Sequence, residues 1–355
     1  MSVRGTGRSS VGPALLVALL VAVGAVAATP AGAGADAGAG EASTPLARLL
    51  ARARAELAAM VPALVRPRVA PSPISVTYRA RRAASIELGA PLLGLIGADL
   101  DGDGRAELFA VTSREVVVLA GGARVTEQAR LALPAALPAI EPRDPIAAVE
   151  LEPGPRPALL VRTSTRARGL RIVAATGAAG PRWVGAGELE RYPGCGEPLV
   201  PAPGRNHFGA ADAPIFARRC RADLVAADGA PLAVSATLGP GGVLRVASAC
   251  ADCPASVAPS SPVEVRGVGT AFDLADLDRD GELEVIVAGD GPPGARDEIR
   301  VLSVADPGGK ARFRRTFTGG VAGVAAVDLD GDGRTEVVCA VRLVGTSKVD
   351  LWRLN

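Results

Sequence analysis

The sequence contains little histidine, few aromatic residues and no long block of like charge. His207 is the single histidine among 355 residues, so a histidine-dependent catalytic triad or a multi-histidine metal site has no second member. Aromatic residues make up only 3%, which leaves few of the ring platforms on which sugars are usually held. The net charge is +2 and the arginines are scattered singly or in pairs, so a nucleic-acid partner is not expected.

Long apolar runs are also scarce, and the one that approaches the length of a membrane span lies near the N-terminus. Arg4 and Arg8 precede this run, which covers residues 11–28 and contains Ala25-Val26-Ala27, a small-x-small sequence of the kind that signal peptidase cleaves. We therefore predict a signal peptide over residues 1–27, with an uncleaved anchor as the alternative. The expected localisation is secreted, periplasmic or cell-surface, with no membrane insertion after cleavage.

The five cysteines fit an oxidising compartment, because four of them lie in loop-like stretches rich in Pro and Gly. Four cysteines allow three pairings, of which Cys195–Cys220 with Cys250–Cys253 is the simplest and the one we expect. Cys339 lies in an apolar run and is predicted to be a buried free thiol. A zinc site is the alternative for the other four, although there is only one CxxC and no histidine nearby.

Residues 28–70 read as a linker that contains a short helix. The first part is rich in Ala and Gly. Ser43 or Thr44 can then cap an amphipathic helix whose first position is Pro45, and leucines follow at near-helical spacing. A cluster of prolines marks the boundary of the next domain, which we place at residues 71–355.

From about Ile74 onward the chain consists of short β-rich runs separated by Gly, Pro and Asp, which is typical of an all-β fold. One pattern occurs three times after an apolar run: Asp99-Leu-Asp-Gly-Asp-Gly-Arg-Ala-Glu-Leu, Asp276-Leu-Asp-Arg-Asp-Gly-Glu-Leu-Glu-Val and Asp328-Leu-Asp-Gly-Asp-Gly-Arg-Thr-Glu-Val. Each copy is predicted to lead into a pair of strands: Glu107–Thr112 with Glu115–Leu119, Glu284–Ala288 with Glu298–Val304, and Glu336–Val341 with Lys348–Leu354.

Two degenerate copies extend the repeat, at Ile146–Glu152 and Arg221–Gly229. Repeat units of about 50 residues accommodate four short strands, which is one blade of a β-propeller. We therefore predict a β-propeller of about five four-stranded blades, with six or more as the alternative, since a long gap in the repeat holds an insertion or an extra blade. The last blade lacks a strand, and we expect Ile74–Tyr78 to supply it and close the ring.

The repeated loop has the composition of a calcium site. Calcium binds six to eight hard oxygen ligands, and a loop that curls around the ion presents the side chains of positions 1, 3, 5 and 9 and the carbonyl of position 7. Glycine at position 6 allows the sharp turn. The expected ligands are Asp99, Asp101, Asp103, Arg105 (carbonyl) and Glu107; Asp276, Asp278, Asp280, Glu282 (carbonyl) and Glu284; and Asp328, Asp330, Asp332, Arg334 (carbonyl) and Glu336. An EF-hand is excluded because position 12 is Ala110, Val287 or Cys339.

The three loops resemble the Asp-x-Asp-x-Asp-Gly-x-x-Asp/Glu element of FG-GAP and VCBS repeats, which occur in integrin α-subunit propellers and in many secreted bacterial proteins. The resemblance covers about residues 74–355 and implies a calcium-stapled propeller used for adhesion or recognition. Glutamate replaces the commoner aspartate at position 9. The copies at 150 and 223 lack the full carboxylate set, so no calcium site is expected there.

These observations favour a binding protein over an enzyme. The expected function is a secreted, calcium-binding recognition or adhesion module for a protein or glycan at the cell surface. The alternatives are a secreted propeller enzyme that acts on polysaccharide and a purely structural envelope protein. Nearly every clustered acid is already assigned to calcium, which leaves no obvious catalytic pair.

Overall fold

The structure, a computed structural model, describes part of the second of the two units into which the chain divides, residues 68–355. The described residues are 73–122, 124–133, 147–152, 158–163, 170–177, 180–186, 200–201, 208–209, 214–225, 231–248, 262–291, 295–343 and 345–354. The predicted signal peptide, linker and helix lie outside them, as do His207, Cys195, Cys250 and Cys253.

The described residues form 22 β-strands and one short 3-10 turn, Pro240–Gly242. The strands are β1 (Ala80–Glu87), β2 (Leu92–Ala98), β3 (Glu107–Thr112), β4 (Glu115–Ala120), β5 (Thr126–Ala132), β6 (Ala147–Glu152), β7 (Ala158–Thr163), β8 (Leu170–Gly177), β9 (Gly180–Ala186), β10 (Val200–Pro201), β11 (Phe208–Gly209), β12 (Ala217–Val225), β13 (Pro231–Gly239), β14 (Val243–Ser248), β15 (Val263–Val265), β16 (Phe272–Ala275), β17 (Glu284–Ala288), β18 (Asp297–Ser303), β19 (Phe313–Phe317), β20 (Val321–Val327), β21 (Glu336–Arg342) and β22 (Lys348–Leu354). Within these ranges, no helix is long and apolar enough to cross a membrane.

The strands pair antiparallel into five four-stranded sheets and one two-stranded ribbon, β10–β11. We number the sheets in chain order: sheet 1 is β2-β3-β4-β5, sheet 2 is β6-β7-β8-β9, sheet 3 is β12-β13-β14-β15, sheet 4 is β16-β17-β18-β19 and sheet 5 is β20-β21-β22-β1. The first strand of each sheet contacts the first strand of the next, and the first strand of sheet 5 contacts that of sheet 1. The sheets thus follow one another around an axis, and the prediction of an all-β propeller is confirmed.

The core lies between neighbouring sheets, which explains why the central strands read as continuous apolar runs. In β3, Leu108 and Ala110 pack into an apolar cluster shared with sheet 5, whereas Phe109 and Val111 pack into a cluster shared with sheet 2. Similar clusters join sheet 3 to sheet 4 and sheet 4 to sheet 5. Full burial of a large apolar side chain stabilises a fold by roughly 1.5–3 kcal/mol, so these interfaces are the main source of stability.

The ring is closed by the N-terminal part of the domain, but not by the segment that we predicted. β1 pairs antiparallel with β22, with Ala80 opposite Leu354 and Glu87 opposite Lys348. The prediction that Ile74–Tyr78 forms this strand is therefore wrong. An N-terminal strand does pair with the last strand of the chain, as we expected. The alternating apolar residues of Ile74–Tyr78 favoured a strand, whereas β1 is the outermost strand of its sheet and half of its residues are polar.

The segment Ile74–Tyr78 lies instead beside the loop that follows β16. The backbone N–H of Ile74 donates to the carbonyl oxygen of Asp278 at 2.7 Å. The ring of Tyr78 packs against that of Phe313, with 5.3 Å between ring centroids. The chain therefore passes over sheet 4 before it reaches sheet 5.

Charged side chains connect four of the sheets where their first strands converge. Arg219 of β12 donates from Nη2 to the carbonyl oxygen of Leu95 at 2.8 Å, and Arg221 donates from Nη1 to the carbonyl oxygen of Ala326 at 3.0 Å. Both guanidinium groups face Asp273 of β16, with nitrogen–oxygen distances of 3.5 and 3.7 Å. These contacts tie sheet 3 to sheets 1, 4 and 5.

Candidate functional site

The three acidic loops each connect the first and second strands of a sheet. We call them loop 99 (residues 99–107, sheet 1), loop 276 (residues 276–284, sheet 4) and loop 328 (residues 328–336, sheet 5). Because sheets 4, 5 and 1 are consecutive, the loops are neighbours. The N–H of Ala106 donates to the carbonyl oxygen of Asp328 at 2.8 Å, which joins loop 99 to loop 328.

The backbone of each loop curls as the sequence predicts. Position 6 has a positive φ in all three, 87° at Gly104, 86° at Gly281 and 79° at Gly333. Such angles favour glycine because a side chain would clash with the backbone. Position 4 is also left-handed, including Arg279 with φ 57°, the one non-glycine residue with positive φ in the described ranges.

The aspartate at position 1 holds the curl through backbone hydrogen bonds. Asp99 accepts from the N–H of Gly102 at 2.7 Å and of Gly104 at 3.0 Å. Asp328 accepts in the same way from Gly331 and Gly333, at 2.8 and 2.7 Å. The loop conformation is therefore fixed by its own carboxylates, a local arrangement of the Asx-turn type.

The glutamate at position 9 has a second role that the sequence analysis missed. The residue is the first of the second strand, and its carboxylate accepts a hydrogen bond from the N–H of position 2. The donor–acceptor distances are 3.2 Å for Leu100 to Glu107, 2.8 Å for Leu277 to Glu284 and 2.8 Å for Leu329 to Glu336. These glutamates lock the loop ends together as well as contributing oxygens to the site.

The loops bring most, but not all, of the predicted side-chain ligands together. In loop 99 the carboxylate oxygens of Asp99, Asp101 and Glu107 lie within 4.8 Å of one another. In the other two loops the group within this distance consists of the aspartates at positions 1, 3 and 5: Asp276, Asp278 and Asp280, and Asp328, Asp330 and Asp332. The position 9 glutamate thus joins the group in loop 99 only.

Burial and mutual repulsion disfavour the charged form of the position 9 glutamates. Burial raises the pKa of Glu107 to about 8, and Asp101, Asp99 and Asp103 add to this increase, against the N–H of Leu100. Burial likewise raises the pKa of Glu284 to about 8 and that of Glu336 to about 7. A cation at these oxygens would remove the repulsion and favour ionisation.

The donor set fits a hard divalent cation such as calcium, because every side-chain ligand is a carboxylate. A buried oxygen of loop 276, Oδ1 of Asp276, accepts no hydrogen bond within the part of the chain that the structure describes. Buried carboxylate oxygens without a partner are costly, so this atom would be stabilised by a nearby positive charge.

Two arginines from other elements form ion pairs with the loops in the described residues, and sequence analysis identified neither. Arg312, just before β19, lies 2.6 Å from both Asp278 and Glu284 of loop 276 through Nη1. Arg353 of β22 forms ion pairs with Asp330 and Glu336 of loop 328 through Nη2. The sequence signal that could have identified Arg353 was the presence of an arginine in the otherwise largely apolar β22.

The described residues of the two degenerate copies of the repeat belong to first strands. Glu150 and Glu152 belong to β6 of sheet 2, and Arg221 belongs to β12 of sheet 3. Cys220 is also in β12, where it is buried, and not in a loop as we expected. Its predicted partner Cys195 lies outside the described residues, so this pairing stays a prediction. Cys339 is a buried free thiol, as predicted.

The fold and the loops define a class, the β-propellers with acidic loops between the first two strands of their blades. Residues 276–339, which include loops 276 and 328, match the family model described as FG-GAP-like repeat. The prediction of FG-GAP-type repeats is confirmed for this part of the chain. No curated protein matches the chain.

Among solved structures, the chain is similar to BBS1N in complex with ARL6DN, soaked with lead, with 11% sequence identity, 79% of this chain and 98% of that chain covered, and a TM-score of 0.33. It is also similar to the S. cerevisiae core factor, with 9% identity, 83% and 63% of the two chains covered, and a TM-score of 0.41. At such values the likeness bears on neither the function nor the partners of this chain.

Proposed function

We propose that this protein is an exported, calcium-binding β-propeller that recognises a protein or glycan at the cell surface. The observation that carries the proposal is the placement of three acidic loops next to one another on consecutive sheets. Each loop is preformed by its own hydrogen bonds, and each contains a buried glutamate that a cation would stabilise.

The proposal includes a ring of five blades and no catalytic activity. Five four-stranded sheets whose first strands contact one another in cyclic order support this count. The ribbon β10–β11 then belongs to an insertion between sheets 2 and 3. Arg219, Arg221 and Asp273 pair with one another where the first strands converge, and we place recognition on the loop faces.

Calcium binding is tested by thermal unfolding of the full chain with calcium and with EDTA. Extracellular modules bind calcium at about 10⁻⁴–10⁻³ M, so one site at about 1 mM calcium adds roughly 0.4–1.4 kcal/mol to the free energy of unfolding. For a domain of this size we expect the melting temperature to rise by about 1–6 °C. Magnesium should have a smaller effect, since it prefers a tighter octahedral shell.

Identical melting curves with calcium and with EDTA, together with no calcium bound to the protein after dialysis against calcium chloride, would contradict the calcium function. Asp103→Ala is the variant to compare, because it removes a carboxylate from loop 99 and keeps the turn at Gly104. Its response to calcium should be smaller than that of the wild type.

Recognition is tested with glycan and protein arrays, probed with the full chain in calcium and again in EDTA. A ligand retained in calcium and lost in EDTA supports a recognition module. Binding to no array component, together with turnover of a polysaccharide, would favour the enzyme alternative instead. N-terminal sequencing of the exported protein checks the predicted cleavage after residue 27.

A further inference from the structure

The three acidic loops differ in how their negative charge is balanced within the protein. In loop 276 the guanidinium of Arg312 lies among four carboxylates. Nη1 is 2.6 Å from Asp278 and 2.6 Å from Glu284, while Nη2 is 3.8 Å from Asp280 and 3.9 Å from Glu282. Three of these four side chains are the predicted calcium ligands of positions 3, 5 and 9.

Loop 328 contains a second such arginine, which reaches it from a different element. Nη2 of Arg353 pairs with both Asp330 and Glu336, the ligands of positions 3 and 9. Nη1 of the same group donates to the carbonyl oxygen of Gly122 at 3.3 Å, which fixes it from the other side. The Arg353 side chain is only 5% exposed, so it has little freedom to move into solvent.

Loop 99 has no equivalent arginine. Its four carboxylates take part in no ion pair within the described ranges. The charged groups that shift the pKa of Glu107 are all aspartates of the same loop. Arg353 of the third strand lies opposite Val338, which is two residues after the position 9 glutamate. In sheet 1 the residue two positions after Glu107 is Phe109, and the residue opposite it is Val118.

The same difference is visible in the positions of the glutamates. Glu107 joins Asp99 and Asp101 in one group of oxygens, whereas Glu284 and Glu336 are turned to their arginines and lie outside the corresponding groups. A guanidinium and a metal ion cannot use the same oxygens at once. Calcium would have to displace Arg312 or Arg353, and displacement would leave the buried Arg353 without its paired carboxylates.

We propose that loop 99 is the calcium site of this chain and that Arg312 and Arg353 take the place of the ion in loops 276 and 328. The inference rests on the proposed calcium function and narrows it from three sites to one. In two of the three loops an arginine then balances the negative charge without metal. Calcium balances the charge of loop 99 alone.

The test is the number of calcium ions bound per chain, measured by titration calorimetry with calcium chloride and by metal analysis after equilibrium dialysis against calcium chloride. We expect one ion for the wild type. Asp101→Asn should lose it, because Asp101 shares one group of oxygens with Asp99 and Glu107, whereas the position-matched Asp278→Asn and Asp330→Asn should retain it. Arg312→Gln should bind two ions, because its side chain is 30% exposed and its removal frees the oxygens of loop 276.

Arg314→Gln is the matched control. It removes the same charge two residues from Arg312, but Arg314 is 68% exposed and pairs at 2.6 Å with Glu298, which lies outside the three loops. This variant should still bind one ion. Arg353→Gln should bind two, and its melting temperature should rise more on calcium addition than that of the wild type. If Arg353→Gln does not fold, Arg312→Gln and its control decide the question.

The outcomes separate this inference from the proposed function. Three ions in the wild type would overturn the inference and leave the calcium function intact. A second ion in neither arginine variant would also overturn it. No ion in the wild type or in any arginine variant would overturn the calcium function itself.

Discussion

Glu107 is buried among three aspartates, and burial together with their repulsion raises its pKa to about 8. Burial is also the main reason that the pKa of Glu284 is raised to about 8 and that of Glu336 to about 7. An unfolded glutamate titrates near 4.5. Between these values the folded, metal-free protein binds more protons than the unfolded chain, so its free energy of unfolding falls as the pH rises.

The resulting prediction is a melting temperature, measured in EDTA, that is lower at about pH 8 than at about pH 5.5. Glu107→Gln should reduce this pH dependence because the amide does not titrate. In calcium the dependence should weaken or reverse, since metal binding requires deprotonated ligands. A melting temperature in EDTA that rises over this range would contradict the assignment of raised pKa values.

A second prediction at the residue scale concerns Arg219, whose side chain reaches from sheet 3 to sheets 1 and 4. Asp273 is 1% exposed, and Arg219→Met leaves it with one guanidinium neighbour fewer. Breaking a buried pair by removing one partner costs about 3–5 kcal/mol. We expect a loss of this size in denaturant unfolding.

Arg314→Met is the control for this variant. Arg314 is 68% exposed and pairs with Glu298 at 2.6 Å near the rim of sheet 4. An exposed pair contributes about 0–1 kcal/mol, so the variant should unfold almost as the wild type does. Equal losses in both variants would show that the buried position of Arg219 has no special effect.

At the scale of the strand, the inner edges of sheets 1 and 5 approach so closely that glycine is required. A Cβ at Gly323 of β20 would lie 2.6 Å from Cβ of Leu95 and 3.1 Å from its backbone nitrogen. Gly323→Ala should therefore destabilise the protein by about 1–3 kcal/mol, the usual cost of overpacking. The measurement is denaturant unfolding.

Gly308→Ala provides the comparison, since a Cβ there meets nothing within 4 Å. This variant should change the free energy of unfolding by less than about 1 kcal/mol. If Gly323→Ala were equally mild, the first strands of the two sheets would be able to separate without cost, against the packing described.

At the scale of the whole domain, the ring depends on a contact between residues far apart in the chain. β1 covers the free edge of β22, and an uncovered edge strand is a template for aggregation. A chain that begins at residue 89 should lose solubility and melt at a lower temperature than one that begins at residue 73. A chain that begins at residue 80 keeps β1 but lacks Ile74–Tyr78.

Gel filtration and thermal unfolding of these three chains test the closure. The chains that begin at 73 and 80 should both be soluble, with the first more stable because Tyr78 packs on Phe313. If the chain that begins at 80 behaves like the one that begins at 89, the segment Ile74–Tyr78 is what holds the ring together. Our interpretation of β1 would then be wrong.

The amino-acid sequence by itself determined the features that depend on near neighbours in the chain. The acidic loops span nine residues, and their carboxylates, turn glycines and following strands all lie within one short segment. β3 and β17 begin and end at the predicted residues, because a strand buried on both faces is a continuous apolar run. The repeat of these units then predicted the propeller.

Only the tertiary structure decided which segments and side chains meet across the fold. Ala80–Glu87 closes the ring because it reaches the edge of β22, which its sequence, half polar and half apolar, does not indicate. Arg312 and Arg353 reach their loops from distant parts of the sequence, 34 residues from Asp278 and 23 residues from Asp330. Charge balance is a property of groups close in space, so three loops with one motif became electrostatically different sites.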